Sequence, residues 1–182
     1  MPRIQPNQKP DAKSQELLAG VKEMLGSTPN FFKTLAHSPA ALSALVSGLD
    51  AMENSQLSKS LREQISLCVA GVNGSDYCAS AHTAFGKMND VDERELAQNL
   101  QTKSSDSKVQ AALTFARRIV DTRGNISDTD LQAVRKAGYS EGEIVDIAVM
   151  VGINTFTNYF SLIAKPDIDF PQVSTGSAKK AA

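Results

Sequence analysis

The chain has 182 residues, enough for one domain with a sizeable core, and 41% of them are apolar. Lys and Arg total 19 against 20 for Asp and Glu, a net charge of −1, so no basic surface suited to nucleic acid is expected. Two cysteines are too few for the disulfide framework of a small secreted domain.

Residues 1 to 14, rich in Pro, Lys, Gln and Asn, read as an extended arm, with one domain over 15–170 and a flexible tail over 171–182. Within the domain the apolar spacing is helical nearly everywhere. The stretch 14–27 has apolar residues at 17, 18, 21, 24 and 25, one stripe of a helix. Thr28-Pro29 and Ser38-Pro39 each read as a cap followed by proline at the first helical position. Ser60 and Glu63 have capping-box spacing, and the segment that follows is apolar on nearly all sides, hence buried. Asn73-Gly74 stops it. After it come the segment 75–88, a short helix near 92–100 and a longer one ending at Gly124. Ser127 opens the next. Ser140 and Glu143 then repeat the capping-box spacing before a long apolar helix closed by Pro166. No segment alternates with period two. The expected fold class is all-α, a single domain of about eight helices.

The N-terminus has no apolar signal-peptide core, and no window of about twenty residues reads as a bilayer span. A soluble cytoplasmic protein without membrane contact is therefore the expectation.

The chemistry concentrates in "GSDYCASAHTAFGK", residues 74–87, which holds one of the two cysteines and one of the two histidines. Ser75 is the natural N-cap, which puts Cys78 in the first helical turn. There the helix dipole and unpaired backbone N–H groups favour a thiolate. His82, four residues on, projects from the same face, and a thiol beside an imidazole is a known nucleophile arrangement. The bland alternative is a packed thiol beside a core histidine. Glu63 has two readings as well, partner of Ser60 in a capping box or an acid for the site. An antiparallel pair of helices across the 73–75 turn would leave it about two turns too far out to meet His82 easily, so local geometry leaves that choice open.

Cys68, in an apolar run, is expected to be a buried inert thiol. His37 closes a short helix, where a histidine suits the negative helix end. Asn154, Asn158 and Tyr159 interrupt an apolar helix, and such groups usually pair with backbone or with a neighbouring subunit. No set of ligands for a metal and no phosphate loop for a cofactor is apparent.

The segment "REQISLCVAGVNGSDYCASAH" resembles the core motif of the alkylhydroperoxidase D-like proteins of the carboxymuconolactone decarboxylase superfamily. That motif is a Glu followed by Cys-x-x-Cys-x-x-x-His, with the first cysteine twelve positions after the acid. Glu63, Cys78 and His82 match the acid, the second cysteine and the histidine, while Ser75 stands where the first cysteine belongs. Flanking helices resemble the peroxidase-related branch, over roughly residues 26 to 170. The resemblance implies a hydroperoxide substrate attacked by Cys78, a proton relay through His82 and Glu63, and an external thiol or dithiol reductant. It also implies a homo-oligomer, a trimer or dimer-based hexamer. Ser75 cannot close a disulfide, which puts an internal two-cysteine cycle in doubt. Two alternatives remain: a decarboxylase-type lyase working on a lactone by proton transfer, and a non-catalytic helical oligomer.

Overall fold

A computed structural model of the protein describes residues 1–176, and every regular element among them is an α-helix. Nine occur, one more than expected: α1 (Ala12–Leu25), α2 (Asn30–Leu35), α3 (Pro39–Met52), α4 (Lys59–Asn73), α5 (Asp76–Met88), α6 (Glu93–Asn99), α7 (Ser107–Thr122), α8 (Asp128–Lys136) and α9 (Glu141–Ala164).

Local chemistry sets most of the boundaries. Ser38 caps α3 with Pro39 at its first position, Ser127 and Ser140 form full capping boxes with Asp130 and Glu143, and Ser75 caps α5. Gly74, at φ 74°, lets α4 end and α5 begin within one tight turn.

Three boundaries differ from expectation. The arm ends at Asp11, whose carboxylate accepts from Ser14 N–H and starts α1 early, because Ser14 itself is buried and turned toward the Ala36 carbonyl. Thr28 does not cap α2. Pro29 takes the cap position with extended backbone, and the Asn30 N–H donates to Asp169, far away in sequence. In α4 the cap is Ser58, two residues before the expected Ser60, and Ser60 Oγ donates to the Asn89 carbonyl instead. Glu63 is thereby free of any capping role.

Helix α4 occupies the middle of the molecule, packed on α5, α7 and α9. Residues 64–70 are buried without interruption, as an all-round apolar helix requires. On one side Ile65, Cys68 and Val69 join Leu113, Ala116, Ile147 and Val151 from α7 and α9. On the other, Ala70 joins Phe31, Leu35, Leu42, Tyr77 and Cys78. Each large aliphatic side chain buried here contributes about 1.5–3 kcal/mol. Gly71 permits a close approach: a Cβ there would strike the Leu100 carbonyl, so any larger residue would push α6 off α4.

Helix α9 runs past both core groups. It is long and apolar enough to cross a membrane by length and composition, which the sequence reading overlooked. Its inner face, however, carries the buried Asn154, Asn158 and Ser161, hydrogen-bonded to α4, α5 and its own backbone.

After Pro166 the chain turns back over α5. Tyr77 Oη donates to Asp169, Val173 N–H donates to Ser80, and Thr175 donates twice to Asp76. Residues 167–176 are thus fastened over α5 as a strap, of which 171–176 were expected to begin a flexible tail, and 177–182 lie outside the described residues. The N-terminal arm is likewise held, with the Arg3 and Ile4 N–H groups donating to the Ala164 carbonyl.

Candidate functional site

Glu63 and His82 meet. Glu63 Oε2 lies 2.8 Å from His82 Nδ1, with both side chains about one-fifth exposed. Glu63 is eleven residues before Gly74 and His82 eight after it, so the offset along the helix pair is only about three residues, roughly 4–5 Å of rise, and not the two turns expected from the sequence. Two extended side chains span that. The carboxylate holds Nδ1–H and so presents Nε2, which makes no hydrogen bond among the described residues, as the basic nitrogen.

Cys78 and His82 both line a cavity of about 390 Å³, and Glu63 borders it too. The walls are mostly apolar and aromatic. Phe31 and Tyr77 lie 5.9 Å apart between ring centroids, Tyr77 and Phe170 5.9 Å, and Phe85 and Phe170 5.5 Å. Phe170 comes from the strap, so the segment after α9 helps to wall the site. A depression of about 540 Å³ beside α6 is lined by Ser60, Asp90, Arg94 and Glu95 among others, but by no cysteine or histidine.

Ser75 is buried, and its Oγ accepts from the Cys78 N–H at 3.3 Å. That backbone donor is therefore engaged by the cap. The Cys78 thiol, 4% exposed, reaches Ser161 Oγ at 3.7 Å, and Ser161 Oγ lies 2.7 Å from Ser75 Oγ. Ser161 also donates to the Asn158 carbonyl at 2.8 Å. The sequence reading missed Ser161. It could have been found, because Asn154, Asn158 and Ser161 follow i, i+4, i+7 spacing and mark one polar line on an apolar helix.

The remaining candidates make no hydrogen bond to Cys78 or His82 among the described residues. Cys68 is fully buried in the other core group, against Thr102 Oγ1 and the Leu113 carbonyl at 3.5 Å each. Burial pushes its thiol up to about 11, with Thr102 opposing, so it stays protonated at neutral pH. Both cysteines are free thiols. His37 is exposed, and its Nε2 pairs with the Gln5 carbonyl of the arm. Asn154 donates to Ser66 and to Met150 and borders the cavity. Asn158 accepts from Asn73, whereas Tyr159 points outward. Tyr77 is held protonated by burial and by its bond to Asp169. No group of three or more potential metal ligands occurs among the described residues.

The sequence model of the carboxymuconolactone decarboxylase family matches residues 37–122, which include Glu63, Cys78 and His82. None of the curated proteins matches the chain. Among solved structures, an uncharacterised peroxidase-related protein from Silicibacter sp. TM1040 is 24% identical, aligned over 96% of this chain and 95% of its own, with a TM-score of 0.78. A second, the alkylhydroperoxidase AhpD core of a peroxidase-related protein from Ralstonia eutropha JMP134, is 23% identical over 88% and 87%, with a TM-score of 0.80. The debrominase Bmp8, in complex with 2,3,4-tribromopyrrole and with one cysteine replaced by alanine, is 18% identical over 92% and 91%, with a TM-score of 0.77. Residues 37–122 match the carboxymuconolactone decarboxylase family model, and the chain as a whole has the helical fold of the AhpD-like structures.

Proposed function

We propose that the protein reduces organic hydroperoxides through the single thiol of Cys78. The observation that carries this reading is the Glu63–His82 pair, closed at 2.8 Å on the cavity that Cys78 also lines. The Cys78 thiolate attacks the terminal peroxide oxygen, the O–O bond breaks, and the departing alkoxide takes a proton and leaves as the alcohol. His82, with Nδ1–H fixed on Glu63, removes the thiol proton at Nε2 and returns it to the alkoxide. Cys78 is left as a sulfenic acid. Cys68 lies in the other core group, so an external thiol attacks the sulfenic sulfur, releasing water and forming a mixed disulfide. A second thiol frees Cys78 and carries away the disulfide. The same reading includes assembly into a homo-oligomer and a place in the cytoplasm, where such thiols are reduced.

The test is consumption of cumene hydroperoxide and of hydrogen peroxide by the purified protein, with dithiothreitol and then a lipoyl-type dithiol. Cys78→Ser should bring the rate down to that of the reductant alone, His82→Ala should slow it by about 10²-fold, and Cys68→Ser should leave it near normal. Loss of turnover in Cys68→Ser alone would overturn the assignment.

The aromatic walls favour one other substrate for the same residues, a small halogenated ring of the kind bound by Bmp8. Replacing a carbon–bromine bond by carbon–hydrogen would consume two thiol equivalents, give one disulfide and release bromide. Bromide release from tribromopyrrole without peroxide consumption would select it.

A further inference from the structure

We infer that Ser161 of α9 is the positioning residue for the Cys78 thiolate, donating its hydroxyl proton to the sulfur once the thiol ionises. The inference rests on Cys78 being the reacting thiol.

With the thiol protonated, the array around Ser161 has one assignment that serves every group. Cys78 S–H donates to Ser161 Oγ over 3.7 Å, Ser75 O–H donates to Ser161 Oγ over 2.7 Å, and Ser161 O–H donates to the Asn158 carbonyl over 2.8 Å. Ser75 Oγ meanwhile accepts from the Cys78 N–H. The thiol turns its S–H from Ser161 to give the proton to His82, and after that only one rotor needs to move. The Ser161 hydroxyl turns from the Asn158 carbonyl to the sulfur and keeps the bond it accepts from Ser75. Ser75 and Ser161 are 1% and 4% exposed, so this donor acts in a site nearly closed to water, where a bond to a charged acceptor is strong.

Among the described residues nothing else nearby takes that role. The titratable groups facing the array are Tyr77 and His82 on α5, Glu63 on α4 and Asp169 on the strap. The Tyr77 hydroxyl donates its hydrogen bond to Asp169, and Glu63 is engaged with His82. Arg62 on α4 is tied to Glu53 and the Met52 carbonyl. Helix α9 has no acid or base between Asp146 and its end except the outward-facing Tyr159. The Cys78 N–H, the donor a first-turn thiolate would use, is engaged by Ser75.

The test is the pH dependence of iodoacetamide alkylation of Cys78, followed by peptide mapping, in the wild type and in Ser161→Ala. Loss of a hydroxyl donor to a charged sulfur should raise the half-maximal pH by about one unit and slow alkylation at pH 7 about tenfold. A purely structural serine would lower Tm and leave that midpoint in place. A Ser161→Ala protein that is folded and keeps the wild-type midpoint overturns the inference. If Ser161→Ala does not fold, Ser161→Cys decides. Treated with diamide, it should form a disulfide between the introduced thiol and Cys78, and a folded variant that forms none overturns the inference. A shifted midpoint in a protein that consumes no peroxide keeps the assignment and removes the peroxidase reading. Peroxide turnover with an unshifted midpoint does the reverse.

Discussion

Ser75 sits three residues before Cys78, at a position where a second thiol would make the site self-resolving. Its hydroxyl now caps α5 and touches Ser161, so replacing it exchanges a structural role for a redox one. Ser75→Cys should cost about 1 kcal/mol of stability through the weaker cap. In return, positions 75 and 78 lie one helical turn apart at a helix start, where a disulfide can close. The oxidised variant should lose two titratable thiols per chain and show a bond to Cys78 by mass spectrometry, and its turnover with a dithiol should exceed the wild type's. A bond without any gain in turnover would count against Cys78 as a peroxide-reducing thiol. The placing of Cys78 and His82 on one helix and the Ser75 cap were legible in the sequence because both are local, fixed by i, i+4 and N-cap spacing. The Glu63–His82 contact was not. It depends on the packing of α4 against α5 and on Ser58 having displaced Ser60 as cap, a choice between two serines that spacing alone does not make.

At the scale of elements, most helices were legible from apolar period and caps, and the errors share a cause. The Thr28 cap and the flexible reading of residues 171–176 both failed because distant groups intervened, Asp169 at the start of α2 and Ser80 and Asp76 under the returning chain. A similar anchor joins α6 to the segment before α7. Burial raises the Glu95 carboxyl, but hydrogen bonds from Ser104, Ser105 and Asn99 outweigh it and hold the group at about 2. A depressed carboxylate stabilises the fold above its unfolded value of 4.5, and that contribution fades as pH falls from there toward 2. Glu95→Ala should therefore lower Tm by about 3–6 °C at pH 7. The deficit should shrink steadily below pH 4.5, as thermal melts across pH would read. A deficit of constant size down to pH 3 would mean that packing, not the carboxylate charge, is what Glu95 supplies.

At the scale of the whole molecule, the described residues leave one face of α9 uncovered, and its pattern argues for what covers it. Along α9, Val145, Val149, Phe156, Tyr159 and Ile163 are each more than two-fifths exposed, and the Gly152 Cβ direction is open. An isolated apolar residue on a surface is ordinary, but a continuous stripe along a 24-residue helix is not. The stripe is also symmetric about position 154: Val145 mirrors Ile163, Val149 mirrors Tyr159, and Gly152 mirrors Phe156. Two copies of α9 crossing antiparallel on a twofold axis would set each Phe156 ring over the partner's Gly152, a self-complementary match of large with small. We propose this contact as the unit from which the expected homo-oligomer is built. Phe156→Glu would bury a charge against the partner and should weaken association by about two to three decades in Kd. Light scattering at micromolar concentration should find the wild type associated and Phe156→Glu monomeric with unchanged helix content. A wild type that is monomeric there, or a Phe156→Glu protein of undiminished mass, would refute the α9 pairing. Ser161 lies on the opposite, buried face of the same helix, so an α9 contact would also hold steady the element that carries the Cys78 partner. The monomeric variant should accordingly alkylate Cys78 more slowly at pH 7 than the assembled protein, whereas equal rates would separate the interface from the site.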